Sequence, residues 1–557
     1  MATVLGAVKN YITSIHLPEL FPNSDNNNND SSSNSNIVVS LRRNLSSLNR
    51  HKRNSSAALL RLGSGCVGFG VPKENKEAED NTSEEASSIE EQAEVQQRPR
   101  RRHLPLPTGP YVVGCVDLMS DVSDSGVFYR LYYPTKKTDI KKSYKQWPLW
   151  LPRKHYAYGY IYFLKKNKML GKLANLIGGE IYVPVLWQAP LLKSQEKFPV
   201  LIVSHGIGGN RTTLTTYCYE LASYGYVVAA LEHRDGSASM TLCLQDNSTV
   251  NIREHYLRLS HSDTALATDG NEDLDMVEQE RVKFYVDEEE NTESQGGRGA
   301  RVKQMRQNNR RSVINARNCT EEWRRFKHVE VWDDFNLRNG QMYHRTEEIS
   351  KVLDELTNMT QGNHVYNKLD LAFKTNQFKD RLDLERVAII GHSFGGAATL
   401  ATLAVDERFK VGISLDGWMH PLDDFIDRSV KQPCLLLNME DFQWERNVNR
   451  MIKFQKAKES SDRPMITLKG GCHQSMTDFQ FIVPQLLGRL LDVCYTLAPK
   501  LAMSACVNVS LAFLAKHLFN DQPLEQKHKD ILDCKHPHLI LGTNVDLTIP
   551  DNGPTPP

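Results

Sequence analysis

Short apolar runs recur along this chain at wide intervals. Val200–Val203, Val227–Leu231, Val387–Ile390, Val411–Leu415, Leu435–Leu437 and Met465–Leu468 have the length and side-chain type of strands buried on both faces. Tyr111–Val116 and Phe128–Tyr133 predict an antiparallel start to the same sheet. Between these runs, apolar residues return at helical spacing over Leu214–Ser223, Arg345–Leu356 and Ala397–Leu403. Strand alternating with helix predicts the α/β class, with a mostly parallel central sheet flanked by helices.

Two stretches break that rhythm. Residues 1–105 hold the polar runs Asn26–Asn29 and Ser31–Ser33, a Glu- and Ser-rich segment, and a basic cluster at Arg98, Arg100, Arg101 and Arg102. Burial in such a segment cannot offset an ordering entropy of about 1–2 kcal/mol per residue, so it is predicted to be a disordered extension. Residues 265–315 carry an acidic run, Asp287–Glu290, and then a basic run from Arg298 to Arg311. They are predicted to be a disordered charged insertion in a surface loop, where extra length costs little stability. The expected organisation is one catalytic domain over 106–545, interrupted by that insertion, and a tail over 546–557.

Composition narrows the function. The 557 residues contain 68 Lys plus Arg and 67 Asp plus Glu, a net charge of +1, which argues against a nucleic-acid coat. Ten scattered cysteines without a C-x-x-C pair argue against structural zinc and are expected to be thiols. Metalloprotease, P-loop and EF-hand motifs are absent, so no metal and no cofactor is expected. Leu501–Ala515 reads as too short an apolar run to span a bilayer. Met1–Leu20 lacks an apolar stretch followed by a small-residue cleavage site. A cytoplasmic chain with peripheral membrane contact is expected, and secretion is the alternative.

The candidate chemistry lies where strands end. Gly391-His392-Ser393-Phe394-Gly395 is a G-x-S-x-G motif between a strand and a helix, the setting of a nucleophile elbow. A serine needs a base, and in this arrangement the order is Ser, then Asp or Glu, then His. Asp416 follows the next strand and His473 follows Met465–Leu468. Taken singly, Asp416 also reads as a turn residue and His473 as a loop histidine; their order and placement together make them the candidate triad. The candidate oxyanion donors are the N–H groups of Phe394 and of Ile207, which lies in His205-Gly206-Ile207-Gly208-Gly209. His205 is an alternative base, but it precedes the nucleophile and suits a loop-orienting role better.

These residues, with Gly109-Pro110-Tyr111, Arg130-Leu131-Tyr132-Tyr133-Pro134, Glu232-His233-Arg234-Asp235-Gly236-Ser237, Leu415-Asp416-Gly417-Trp418 and Gly542-Thr543-Asn544, resemble the platelet-activating factor acetylhydrolase family, the group VII phospholipases A2. The resemblance covers about residues 109–544 apart from the insertion. It implies an α/β-hydrolase fold and calcium-independent hydrolysis of the sn-2 ester of platelet-activating factor and of phospholipids with short or oxidised sn-2 chains. It places the family's triad on Ser393, Asp416 and His473 and its oxyanion amides on Ile207 and Phe394. The extension and insertion depart from the family pattern.

The implied substrate is a phospholipid, so a route to a lipid surface is expected. Trp147–Ile177 is aromatic-rich and interleaved with lysines, and Tyr160, Phe163 and Leu164 are the candidate lipid-facing residues. The competing reading is a helix packed on the core. The rival functions are a broader carboxylesterase, a phospholipid transacetylase on the same scaffold, and a non-catalytic binding module. Nothing in the sequence fixes the oligomeric state.

Overall fold

A computed structural model describes residues 102–121, 126–167, 169–246, 319–329, 334–458, 461–483 and 496–547. Residues 1–101 of the predicted N-terminal extension (1–105), the predicted insertion over 265–315 and residues 548–557 of the predicted tail (546–557) lie outside the described residues; residues 102–105 are described, and Leu104 is buried in the core rather than part of a disordered extension.

The strands are β1 (Val112–Met119), β2 (Phe128–Thr135), β3 (Leu186–Trp187), β4 (Phe198–Ser204), β5 (Val227–Leu231), β6 (Met240–Asp246), β7 (Cys319–Arg325), β8 (Leu382–His392), β9 (Val411–Leu415), β10 (Cys434–Met439), β11 (Met465–Leu468) and β12 (Leu539–Leu541). The longer helices are α1 (Lys154–Phe163), α2 (Met169–Gly178), α3 (Thr215–Ser223), α4 (Phe335–Gln361), α5 (Phe394–Val405), α6 (Glu445–Lys456) and α7 (Pro499–Leu518). Ten strands form one sheet in the order β12-β11-β10-β9-β8-β4-β5-β2-β1-β3. From β5 through β4 and β8 to β11 every pairing is parallel; β2 runs antiparallel to both β5 and β1, and β12 closes the far edge antiparallel to β11. This is the α/β-hydrolase arrangement.

Continuous apolar runs are what such a sheet demands, because successive side chains enter opposite cores. In β4, Leu201 and Val203 face one cluster, with α3 and α7. Val200 and Ile202 face the other, with α4 and α5. Helix α7 is 20 residues long and apolar, but most of its residues are buried and its apolar side chains join the core cluster on one face of the sheet, which marks it as a core helix. The predicted run Leu501–Ala515 is therefore longer than it reads, and its apolar side chains are used internally.

Two elements depart from the expected pattern. Helix α4 extends well beyond Arg345–Leu356 because Asp334 caps its first turn, accepting from Leu337 N–H at 3.1 Å, and because Gly362 ends it at φ 80°. The strands β6 and β7 form an antiparallel hairpin, with Asp246 opposite Cys319. The described chain thus leaves off and resumes at adjacent points of this hairpin. The sequence Cys319-Thr320-Glu321-Glu322-Trp323-Arg324-Arg325 is too polar to signal a strand by its pattern.

Candidate active site

Register gathers the site. Ser204 of β4 lies opposite Gly391 of β8, and His392 of β8 lies opposite Leu415 of β9. Next in line, Leu437 of β10 pairs with Leu415, and Leu468 of β11 with Met439. The loops holding Ile207, Ser393, Asp416 and His473 therefore all leave the same edge of the sheet. Parallel strands make this automatic, since their carboxyl ends point one way.

Ser393 sits between β8 and α5 at φ 56°, in the left-handed region that a non-glycine residue enters at a cost of about 1–3 kcal/mol. Flanking atoms explain why the motif needs glycine. A Cβ at Gly391 would strike the Gly395 carbonyl, and a Cβ at Gly395 would strike the Ser204 carbonyl. The turn is fastened to the next strand: Ser393 N–H donates to Leu415 O at 2.9 Å, and Trp418 N–H donates to Ser393 O at 3.0 Å. Asp416 is held at a second positive φ, 50°.

Asp416 is buried and its carboxylate accepts twice. His473 Nδ1 donates to Oδ2 at 2.6 Å, and Met439 N–H donates to Oδ1 at 2.8 Å. Burial pushes its carboxyl well above the usual range, with the Met439 N–H opposing the rise. The His473 ring is stacked under Phe442 at 3.5 Å and leaves 16% of its side chain exposed. Burial holds its pKa down to about 3, so the imidazole is neutral, as a base must be. Nδ1 is the donor to Asp416, which leaves Nε2 carrying the lone pair. His392 ties the two loops together, donating from Nε2 to His473 O at 2.9 Å. Among the described residues no hydrogen bond joins the Ser393 hydroxyl directly to His473, a contact that often tightens only around substrate.

The loop that carries Ile207 reaches Ser393, the residue before Phe394. Gly206 packs so closely on Ser393 that a Cβ there would lie 3.1 Å from Ser393 Cβ. Gly208 turns at φ 69° and its N–H donates to Ser237 O at 2.7 Å. Phe394 N–H belongs to the first turn of α5, where helical N–H groups lack intrahelical acceptors.

Sequence reading misses the frame behind this loop. Arg345 is fully buried and donates to Asp235 Oδ2 at 2.9 Å, His205 O at 2.5 Å and Ser237 Oγ at 2.5 Å. Ser204 Oγ, His233 and Glu348 make a second hydrogen-bonded chain, with contacts of 2.8 and 2.6 Å, sealed from solvent. A signal for it exists: Glu232-His233-Arg234-Asp235 puts four charged or polar residues directly after the apolar run of β5. His392 and Phe442 carry no such signal.

The lipid-facing candidates divide. Tyr160 does not face outward: its hydroxyl lies 3.1 Å from Thr213 Oγ1 and accepts from Asn210 Nδ2 at 2.8 Å, and its ring stacks with Trp150. Phe163 is half-buried, packing edge-on to Phe326 and against Gly208. Of the three, Leu164 is exposed, as are Tyr162, Met169 and Leu176 nearby. Sequence pattern misassigns this helical face because the side of α1 that packs on the loop after β4 is as aromatic as its outer side. Among the described residues no group of three or more His, Cys, Asp or Glu is placed to hold a metal.

Comparison with known proteins bears on the same span. The family described as "Platelet-activating factor acetylhydrolase, isoform II" matches residues 97–313 and 299–536. A platelet-activating factor acetylhydrolase of Canis lupus familiaris is 32% identical over 81% of this chain and 84% of its own length. That of Bos taurus is 34% identical over 80% of this chain and 84% of its own. A putative phospholipase A2 of Schizosaccharomyces pombe is 25% identical over 76% of this chain and 94% of its own. By this breadth of match, the chain belongs to the platelet-activating factor acetylhydrolase family.

Proposed function

We propose that this protein hydrolyses the sn-2 acetyl, short or oxidised acyl ester of platelet-activating factor and related phospholipids, without calcium. The observation that carries the reading is the 2.6 Å contact of His473 with Asp416 at the sheet edge where Ser393 stands on its strained turn. Ser393 Oγ attacks the ester carbonyl as His473 Nε2 takes its proton. Asp416 keeps Nδ1 protonated and stabilises the imidazolium that forms. The N–H groups of Ile207 and Phe394 receive the oxyanion. The alkoxide of the lyso-phospholipid leaves with the proton from His473. Water, deprotonated by the same ring, then frees the short acid from Ser393. A hydrolysis panel over sn-2 chain length, with and without a calcium chelator, tests this. Turnover that falls steeply as the acyl chain lengthens, unaffected by chelator, is the expected result; a flat profile or chelator inhibition rejects it.

The route to lipid in this reading is the exposed apolar group Tyr162, Leu164, Met169 and Leu176, with Lys165, Lys166 and Lys172 nearby. Together they suit a protein that touches the bilayer interface from the cytoplasmic side. Met169→Ser combined with Leu176→Ser is expected to weaken binding to anionic phospholipid vesicles by about tenfold, near the loss of two partly buried apolar side chains. Hydrolysis of a water-soluble ester should be unchanged; equal loss of both would mean these residues support the fold.

A further inference from the structure

We propose that His205 is a positioning residue that fixes the Gly206–Ile207 peptide, so that the Ile207 N–H is aimed at the oxygen of the bound ester. The inference rests on the esterase reading above and adds to it the group that holds one of its two oxyanion donors.

His205 Nδ1 lies 2.7 Å from Gly206 O. That oxygen and the Ile207 N–H belong to one planar trans peptide and point in opposite directions. Gripping the carbonyl, which also accepts the Gly209 N–H at 3.1 Å, therefore fixes the direction of the Ile207 N–H, and the Gly206 Cα beside it packs against Ser393. The donor must be Nδ1, because Nε2 is already an acceptor: it receives the His233 backbone N–H at 3.2 Å. His233 is itself immobilised, with Nδ1 at 2.6 Å from Glu348 Oε2 and Nε2 at 2.8 Å from Ser204 Oγ. Behind the loop, Arg345 donates to His205 O and Ser237 Oγ, and Gly208 N–H donates to Ser237 O. The peptide is thus tied by its own carbonyl and on both sides.

The same geometry removes His205 as a rival base. Both its nitrogens are committed and it is 2% exposed, so substrate does not reach it. Burial, with Arg345 and His233 beside it, keeps the ring neutral, the state this hydrogen-bond pattern requires.

The test compares full-length wild type with His205→Leu and His205→Asn on a short-chain ester, with Ser393→Ala as blank. Leucine keeps the bulk and removes the donor; asparagine keeps an N–H near the position of Nδ1. His205→Leu should lower kcat about 100- to 1000-fold, the effect of losing one oxyanion donor. KM should move less than about threefold, and a trifluoromethyl ketone, which forms a tetrahedral adduct, should bind more weakly in step with kcat/KM. His205→Asn should stay within about tenfold of wild type. Unchanged kcat in His205→Leu overturns the proposal. So does a loss beyond about 100-fold in a His205→Asn protein of unchanged Tm, which decides the matter alone if the leucine variant does not fold. Wild-type protein without Ser393-dependent turnover would overturn the esterase reading together with the proposal; normal wild-type turnover with an active His205→Leu overturns the proposal only.

Discussion

Replacing Ser393 by alanine is expected to lower kcat by about 10⁵–10⁶ with the melting temperature kept or raised. The magnitude comes from losing the nucleophile of a unit whose members act together, as hydrolases of this type show. The stability expectation comes from the backbone. Ser393 and Asp416 are both held at positive φ within one tight knot, so the turn is already strained. Exchanging a hydroxyl for hydrogen relieves nothing structural that the fold needs, because its backbone N–H and O bonds to Leu415 and Trp418 do not involve the side chain. A fluorophosphonate should label wild type and not the variant. Peptide mapping of the adduct separates this site from the buried Ser204–His233–Glu348 chain, which has a similar order of contacts but no access. Adduct on the Ser204 peptide, or a fall in kcat of less than about 100-fold, would reject Ser393 as nucleophile.

Asp117→Ala is expected to cost about 3–5 kcal/mol of stability, the scale of breaking a buried ion pair and leaving its partners unpaired. Asp117 Oδ1 and Oδ2 accept from Arg130 at 2.6 and 2.9 Å, and Oδ2 also accepts from Arg211 at 2.8 Å. Arg130 is wholly buried and Arg211 nearly so. Without the carboxylate, Arg130 would hold a full charge inside the sheet with no anion against it. Adding Arg130→Met should return a large part of the loss, since removing the stranded charge costs less than keeping it. The pH dependence has a definite sign. Burial pushes the Asp117 carboxyl up, but Arg130 and Arg211 outweigh it and hold the pKa well below the usual range. A depressed folded pKa contributes stability above the unfolded value of about 3.9 and loses it as pH falls through the folded one. The deficit of Asp117→Ala should therefore be full at pH 7 and shrink in strong acid. A difference under about 1 kcal/mol in denaturant titrations at pH 7 would show that the arginines find other partners.

The same lattice of buried charge supports the site from behind. Arg211 comes two residues after the candidate oxyanion loop His205–Gly209 and bridges Asp117 to Glu232, and Glu232 opens the segment that continues through His233 and Asp235. Fold and site share these residues, so charge changes in this lattice should alter stability and turnover together, whereas Ser393→Ala separates them.

The apolar runs of β4, β5, β8, β9, β10 and β11 declare themselves in the sequence, because a strand buried on both faces has no room for polar side chains. Ser393, Asp416 and His473 are legible for a related reason: each comes just after such a run, and parallel strands carry their succeeding loops to one edge. The polar strand β7 and the length of α4 are not legible, since one is held by backbone pairing with β6 and the other is set by the Asp334 cap and Gly362 at its ends. Nor can periodicity tell which side of α1 is inside. Tyr160 and Leu164 both sit in one apolar stretch of the sequence, and only the loop after β4, distant along the chain, claims Tyr160. Sequence determined the buried strands of the parallel sheet, the order of the candidate residues that follow them and the family, because those depend on composition along the chain. Tertiary structure decided the hydrogen-bonded frame around His205 and Arg345 and the direction of each side chain, because those depend on which distant segments are brought within about 3 Å.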